Sequence, residues 1–134
     1  MSHLIKLKDF LNEKISASEA HSDESSIQTI LDGKRDRAFL AISTQKLIDP
    51  RPNIEALKFA IDNNLNLLPI KNRADGVAFV IYKNDLKGAQ ALADFAESKE
   101  GYLSDDTPEE AEFIGNALEY NPEDIQAYVD RRYK

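Results

Sequence analysis

The run Val77-Ala78-Phe79-Val80-Ile81-Tyr82 constrains this chain more than any other feature. β-Branched and aromatic side chains dominate it, and it is short, so it reads as a strand rather than a helix. Two further segments supply partners. Ala38-Phe39-Leu40-Ala41-Ile42 is a brief apolar run without helical spacing, which suits a strand buried on both faces. Residues 65–70 form the other, joined to 77–82 by the polar connection 71–76, whose Asp75-Gly76 ending is a hairpin signal. Pro69 lacks a backbone donor and therefore places 65–70 at a sheet edge.

Helical spacing surrounds these strands. Leu4, Leu7, Phe10, Leu11 and Ile15 share one face of a helix over 3–15, and the Ser- and acid-rich stretch 16–26 reads as a flexible connection. Ser22 or Asp23 can cap a short helix carrying Ile27, Ile30 and Leu31, closed by Gly33. Asp49-Pro50-Arg51-Pro52 reads as a rigid loop outside regular structure, with Asn53 capping a helix that carries Ile54, Leu57 and Ile61 and ends near Asn63-Asn64. Residues 85–99 place Ala89, Leu92, Ala93 and Ala96 on one smooth face, and Gly101 ends that helix.

Thr107-Pro108-Glu109-Glu110 and Asn121-Pro122-Glu123-Asp124 each combine a cap, a first-turn proline and carboxylates near the positive end of the helix dipole. They open two helices, one bearing Ala111, Ile114 and Leu118, the other Ile125, Tyr128 and Val129. The expected fold is a single α+β domain over 1–134. Its order is α-α-β-α-β-β-α-α-α, with a small mixed three-stranded sheet packed by helices and an acidic helical C-terminal part.

The net charge of −7 is uneven: residues 1–51 balance to zero, 52–101 carry −1, and 102–134 carry −6. That sign repels nucleic acid and anionic lipid and favours a basic protein partner. The closing pair of helices has the outline of a helix-turn-helix, but its carboxylates would face phosphate. The charge also serves plain solubility. No cysteine is present, which removes disulfides, thiolate ligands and cysteine nucleophiles. No stretch approaches the roughly 20 apolar residues that cross a bilayer, and the N-terminus lacks an apolar signal core, so the expected location is cytoplasmic.

Catalytic chemistry finds little support. The two histidines, His3 and His21, stand apart from the predicted core, which argues against a histidine-centred triad despite Ser25, Ser26, Ser43 and Thr44. Glycines 33, 76, 88, 101 and 115 stand alone, so no phosphate loop or nucleotide cofactor is expected. Lys34, Arg35 and Arg37 form a possible anion-binding turn, against the plainer reading of a solvated turn paired with Asp32 and Asp36. The cluster Asp105, Asp106, Glu109, Glu110 and Glu112 lacks calcium-loop spacing, so no metal is expected. Asp75 and Asp85 sit where functional groups occur and also where turns need them.

Tyr102, Tyr120, Tyr128 and Tyr133 share the acidic quarter, a combination suited to a basic protein surface. The preferred expectation is an acidic interaction module that inhibits or neutralises a basic partner, such as a nucleic-acid-handling enzyme or a toxin. Its contact set is Glu109, Glu110, Glu112, Glu119, Glu123, Asp124, Tyr120 and Tyr128, with no catalytic residue. The alternative is a small-molecule-binding or enzymatic α+β domain using Lys34, Arg35, Arg37 or Asp85 at the ends of strands 38–42 and 77–82.

Overall fold

The computed structural model describes residues 23–134. The helix expected at 3–15, both histidines and the start of the 16–26 connection lie outside the described residues. Along the chain the elements are α1 (Asp23–Leu31), β1 (Arg37–Ser43), α2 (Arg51–Asp62), β2 (Asn66–Ile70), β3 (Gly76–Tyr82), α3 (Leu86–Ser98), α4 (Pro108–Ala117) and α5 (Pro122–Tyr133). The fold is α+β, and the expected element order holds over these residues.

The three strands lie in the order β1-β3-β2. Both ladders are antiparallel, Leu40 facing Phe79 in one and Leu68 facing Val80 in the other. The sheet is therefore antiparallel rather than mixed. The physical reason is connectivity: the crossover through α2 leaves β1 and β2 pointing the same way with a gap between them. β3 fills that gap by turning back from β2. Pro69 sits in an edge strand, as its missing donor requires.

Alternation along the strands divides the interior into two cores. Ala78 and Val80 face one way with Ile70, against Leu92, Ala93, Ala96, Ile114, Ile125 and Val129 of α3, α4 and α5. Ile81 faces the other way with Ala38 and Leu40, against Ile27 and Ile30 of α1 and Ala56 and Ala60 of α2. Helices on both faces explain why the strands read as unbroken apolar runs. Ala89, Ala93 and Ala96 of α3 are buried, and their small size lets the helix approach the sheet closely.

Two boundaries differ from the sequence reading by more than one residue. Residues 23–26 belong to the first turn of α1 and not to a connection. The Pro50–Pro52 stretch is the start of α2, with Pro50 at the N-cap and Pro52 in the first turn, where a missing donor costs no helical bond. Asn53 is thus inside the helix and caps nothing; its side-chain amide donates instead to the Ala41 carbonyl of β1.

Four helices close in the same way. After α1, Lys34 N–H reaches Thr29 O at 2.9 Å around Gly33 at φ 77°. After α2, α3 and α4 the left-handed residue is Asn64, Glu100 and Glu119, each at φ 61°. The next residue then donates back: Leu65 to Ala60 O, Gly101 to Ala96 O and Tyr120 to Gly115 O. This double-bonded closure satisfies carbonyls that the helix leaves open. Placing glutamate there costs about 1 kcal/mol relative to glycine, and the side chain of Glu119 uses the resulting direction. Gly101 lies one residue past the left-handed closing position, which Glu100 takes, and makes room there, since a Cβ would lie 2.6 Å from the Arg73 Cβ.

Candidate functional site

The acidic quarter divides into carboxylates that build the fold and carboxylates that face outward. Thr107 caps α4 by accepting the Glu110 N–H at 3.1 Å, and Glu110 returns a bond by accepting the Asp106 N–H at 2.8 Å. Lys99 reaches from beyond α3 to sit 2.9 Å from Asp106 and 2.8 Å from Glu110. Burial opposes ionisation of Glu110, but the Lys99 ammonium and the Asp106 N–H outweigh it and hold the carboxyl below its ordinary value. Glu110 is therefore a helix-start and ion-pair residue. Asn121 caps α5 through the Glu123 N–H at 2.9 Å.

Glu109, Glu112, Phe113 and Asn116 recur at three- and four-residue spacing and form the exposed outer face of α4. The Glu109, Glu112 and Glu123 carboxylates make no ion pair or hydrogen bond with any described residue. Phe113 stands 37% exposed on the same face as Glu109 and Glu112, its ring centroid 5.1 Å from that of Phe95 on α3. Asp124 is half-buried in the first turn of α5.

The two tyrosines expected at a contact surface turn inward. Tyr120 is 6% exposed and lies in the core with the Arg35 guanidinium 5.8 Å from its ring. Tyr128 belongs to a cluster around Asp105, which is fully buried. The Asp105 carboxylate accepts from the Tyr133 hydroxyl at 2.6 Å and the Tyr128 hydroxyl at 3.2 Å, and pairs with the Arg132 Nε at 3.1 Å. Arg132 also donates to the Asp105 carbonyl at 3.0 Å. Burial and the adjacent carboxylate raise both phenols above their ordinary range, so they act as donors. This cluster escaped the sequence reading, although Tyr and Arg at 128, 132 and 133 share a helix turn that could have signalled it.

The basic turn 34–37 also differs from expectation. Arg35 donates to Thr29 Oγ1 at 2.8 Å and to the Leu118 carbonyl at 3.3 Å, so it does not pair with Asp32 or Asp36. Arg37, 8% exposed, donates to the Ala117 carbonyl at 2.7 Å and pairs with Asp85 at 2.8 Å. Both cations thus meet the carbonyl end of α4, where the helix dipole favours positive charge. Gly88 makes this possible, because a Cβ there would lie 2.4 Å from the Arg37 guanidinium. Asp36 accepts the Asn84 and Asp85 N–H groups, each at 2.9 Å, and Asp85 caps α3 through Gly88 N–H at 2.9 Å. The Gly88 N–H and then Arg37 lower the Asp85 carboxyl. Lys34 is exposed at the tip of the turn.

Glu119 belongs to this end of the sheet rather than to the outward face. Its carboxylate accepts the Asp36 N–H at 2.6 Å and the Arg37 N–H at 3.3 Å. Asp75 lies at the opposite end, where the Tyr102 hydroxyl and then Arg73 lower its carboxyl. The Arg73 guanidinium lies 4.1 Å from the Tyr102 ring. Among the described residues no group of three or more His, Cys, Asp or Glu side chains could hold a metal, and no helix is long and apolar enough to cross a membrane. No protein-family model, curated protein or solved structure matches the chain.

Proposed function

We propose that this domain is a cytoplasmic interaction module that binds a cationic protein surface and thereby inhibits or neutralises a basic partner. The observation that carries this reading is the outer face of α4, where exposed Phe113 shares one face with the unpaired carboxylates of Glu109 and Glu112. An aromatic anchor flanked by charge matches the make-up of protein interfaces, and unpaired carboxylates steer a cationic surface toward it. Glu123 adds to the same field from the first turn of α5. The small-ligand alternative has weaker support, because Arg35 and the terminal nitrogens of Arg37 already donate to backbone carbonyls, Thr29 and Asp85, and the one Arg37 donor left over, Nε, is buried.

The test compares wild type with Glu109→Gln/Glu112→Gln/Glu123→Gln and with Phe113→Ala in affinity capture from host lysate, at low and high salt. Glu110 and Glu119 stay intact, since their loss would mix structure with contact. The expected result is a basic protein held by wild type at low salt, released by salt, and lost from both variants. Equal capture by all three proteins would sink the proposal.

A further inference from the structure

Among the described residues no strand pairs with the outer edges of β1 and β2, and the two edges are protected by different means. Lys83 N–H donates to Asp36 O at 3.0 Å and Thr44 N–H to Asp75 O at 2.9 Å, which fixes the phase of the β1–β3 ladder. Even-numbered residues of β1 bond to β3, so Arg37, Phe39, Ala41 and Ser43 direct their backbone groups outward. The same phase carried through β3 leaves Leu67 and Pro69 facing outward on β2. Pro69 has no N–H, which blunts that edge. β1 has no proline, and no charge between residues 38 and 42.

Two side chains reach the β1 edge instead. Glu119, 82 positions along the chain, accepts the Arg37 N–H at 3.3 Å, and the Asn53 amide donates to the Ala41 carbonyl. Between these two bonds Phe39 faces outward. We infer that the outer edge of β1 is a strand-pairing surface for a second copy of this chain, held shut by the side chains of Glu119 and Asn53.

Geometry favours a second copy as the occupant. A two-fold axis normal to the sheet pairs 37 with 39 if centred on Ala38, 39 with its own copy and 37 with 41 if centred on Phe39, 39 with 41 and 37 with 43 if centred on Leu40, 41 with its own copy and 39 with 43 if centred on Ala41, and 41 with 43 if centred on Ile42. Each register needs the Arg37 N–H or the Ala41 carbonyl, the two groups already taken. Each also keeps Phe39 and Ala41 of both copies on one face and Ala38, Leu40 and Ile42 on the other, so both cores would continue across the junction. Residues 38–42 are neutral, so no like charges of that stretch face each other across the strands, and the Glu119 carboxylate at the edge lies 3.9 Å from the opposite charge of Arg37.

The test measures oligomeric state by light scattering across a concentration series, with amide exchange at Phe39 and Ala41. Asn53→Ala/Glu119→Asn removes both contacts, asparagine being chosen because it tolerates the left-handed backbone at 119. This variant is expected to dimerise at least about tenfold more tightly than wild type, a difference of about 1.4 kcal/mol, with slowed exchange at Phe39. Adding Ala41→Pro, which blunts β1 as Pro69 blunts β2, restores the wild-type state. Glu119→Gln alone keeps an acceptor oxygen and behaves as wild type. Asn53→Ala alone, which leaves α4 untouched, serves if the double variant fails to fold and is expected to show the same shift at smaller size. A variant series with unchanged oligomeric state, a dimer insensitive to Ala41→Pro, or a wild type already paired through β1 overturns the inference. Capture of a different chain at the opened edge overturns the choice of occupant.

Discussion

Asp105 and Glu109 lie four residues apart in one acidic run and meet opposite fates. Asp105 has no exposed surface and is held by three side chains of α5, whereas Glu109 and Glu112 project from α4 with no partner among the described residues. Glu110 stands between these extremes, partly covered and paired with Lys99. The difference teaches that formal charge in the sequence and charge offered to a partner are separate quantities. The start of α4 decides which is which, because Asp105, two residues before the cap, turns into the core while Asp106 stays exposed and the first turn alternates between inner and outer faces.

The comparison breaks most sharply at Asp105. Replacing it with alanine leaves Arg132 and two phenols without their acceptor, and the expected loss is about 3–5 kcal/mol in denaturant unfolding. A loss below about 1 kcal/mol, the range of exposed pairs, would place Asp105 with the outward carboxylates. Tyr133→Phe removes the shortest bond in the cluster and should cost about 1.5–3 kcal/mol by the same measurement.

Glu110→Gln sharpens the middle case, with an expected loss of about 1 kcal/mol or less at neutral pH. Its carboxyl is lowered in the folded protein, so its contribution is complete above the ordinary glutamate value of about 4.3 and disappears as pH falls through the lower folded value. The variant and wild type should therefore converge in stability toward acid. Convergence toward alkali instead would show that the sign is wrong. Glu109→Gln/Glu112→Gln gives the smallest effect, within about 0.5 kcal/mol, while weakening capture of the basic partner at low salt.

Much of the fold was legible because local chemistry and long-range packing agree. The Thr107-Pro108 and Asn121-Pro122 starts lie where their caps place them, and Gly33 closes α1. Pro50 and Pro52 misled the reading because the same restraint on φ suits both a rigid loop and a first helical turn. Sites were harder to read for a physical reason. Arg35 and Arg37 find their acceptors about 80 positions away at the end of α4, and Tyr128 finds Asp105 across 23, distances that periodicity does not report. Glu119 is the clearest case: its role depends on a left-handed backbone that glutamate seldom adopts, which local preference does not anticipate.

The strand order β1-β3-β2 also sets a timetable. The last strand in the chain is the middle one in space, so β1 and β2 have no strand to pair with until β3 is in place. The loop 71–75 closes cheaply, whereas joining β1 to β3 encloses α2 and β2 and costs more chain entropy. The β2–β3 hairpin should therefore belong to the folding nucleus and β1 should dock afterwards. In folding and unfolding kinetics, Leu68→Ala is expected to slow folding, while Leu40→Ala chiefly speeds unfolding.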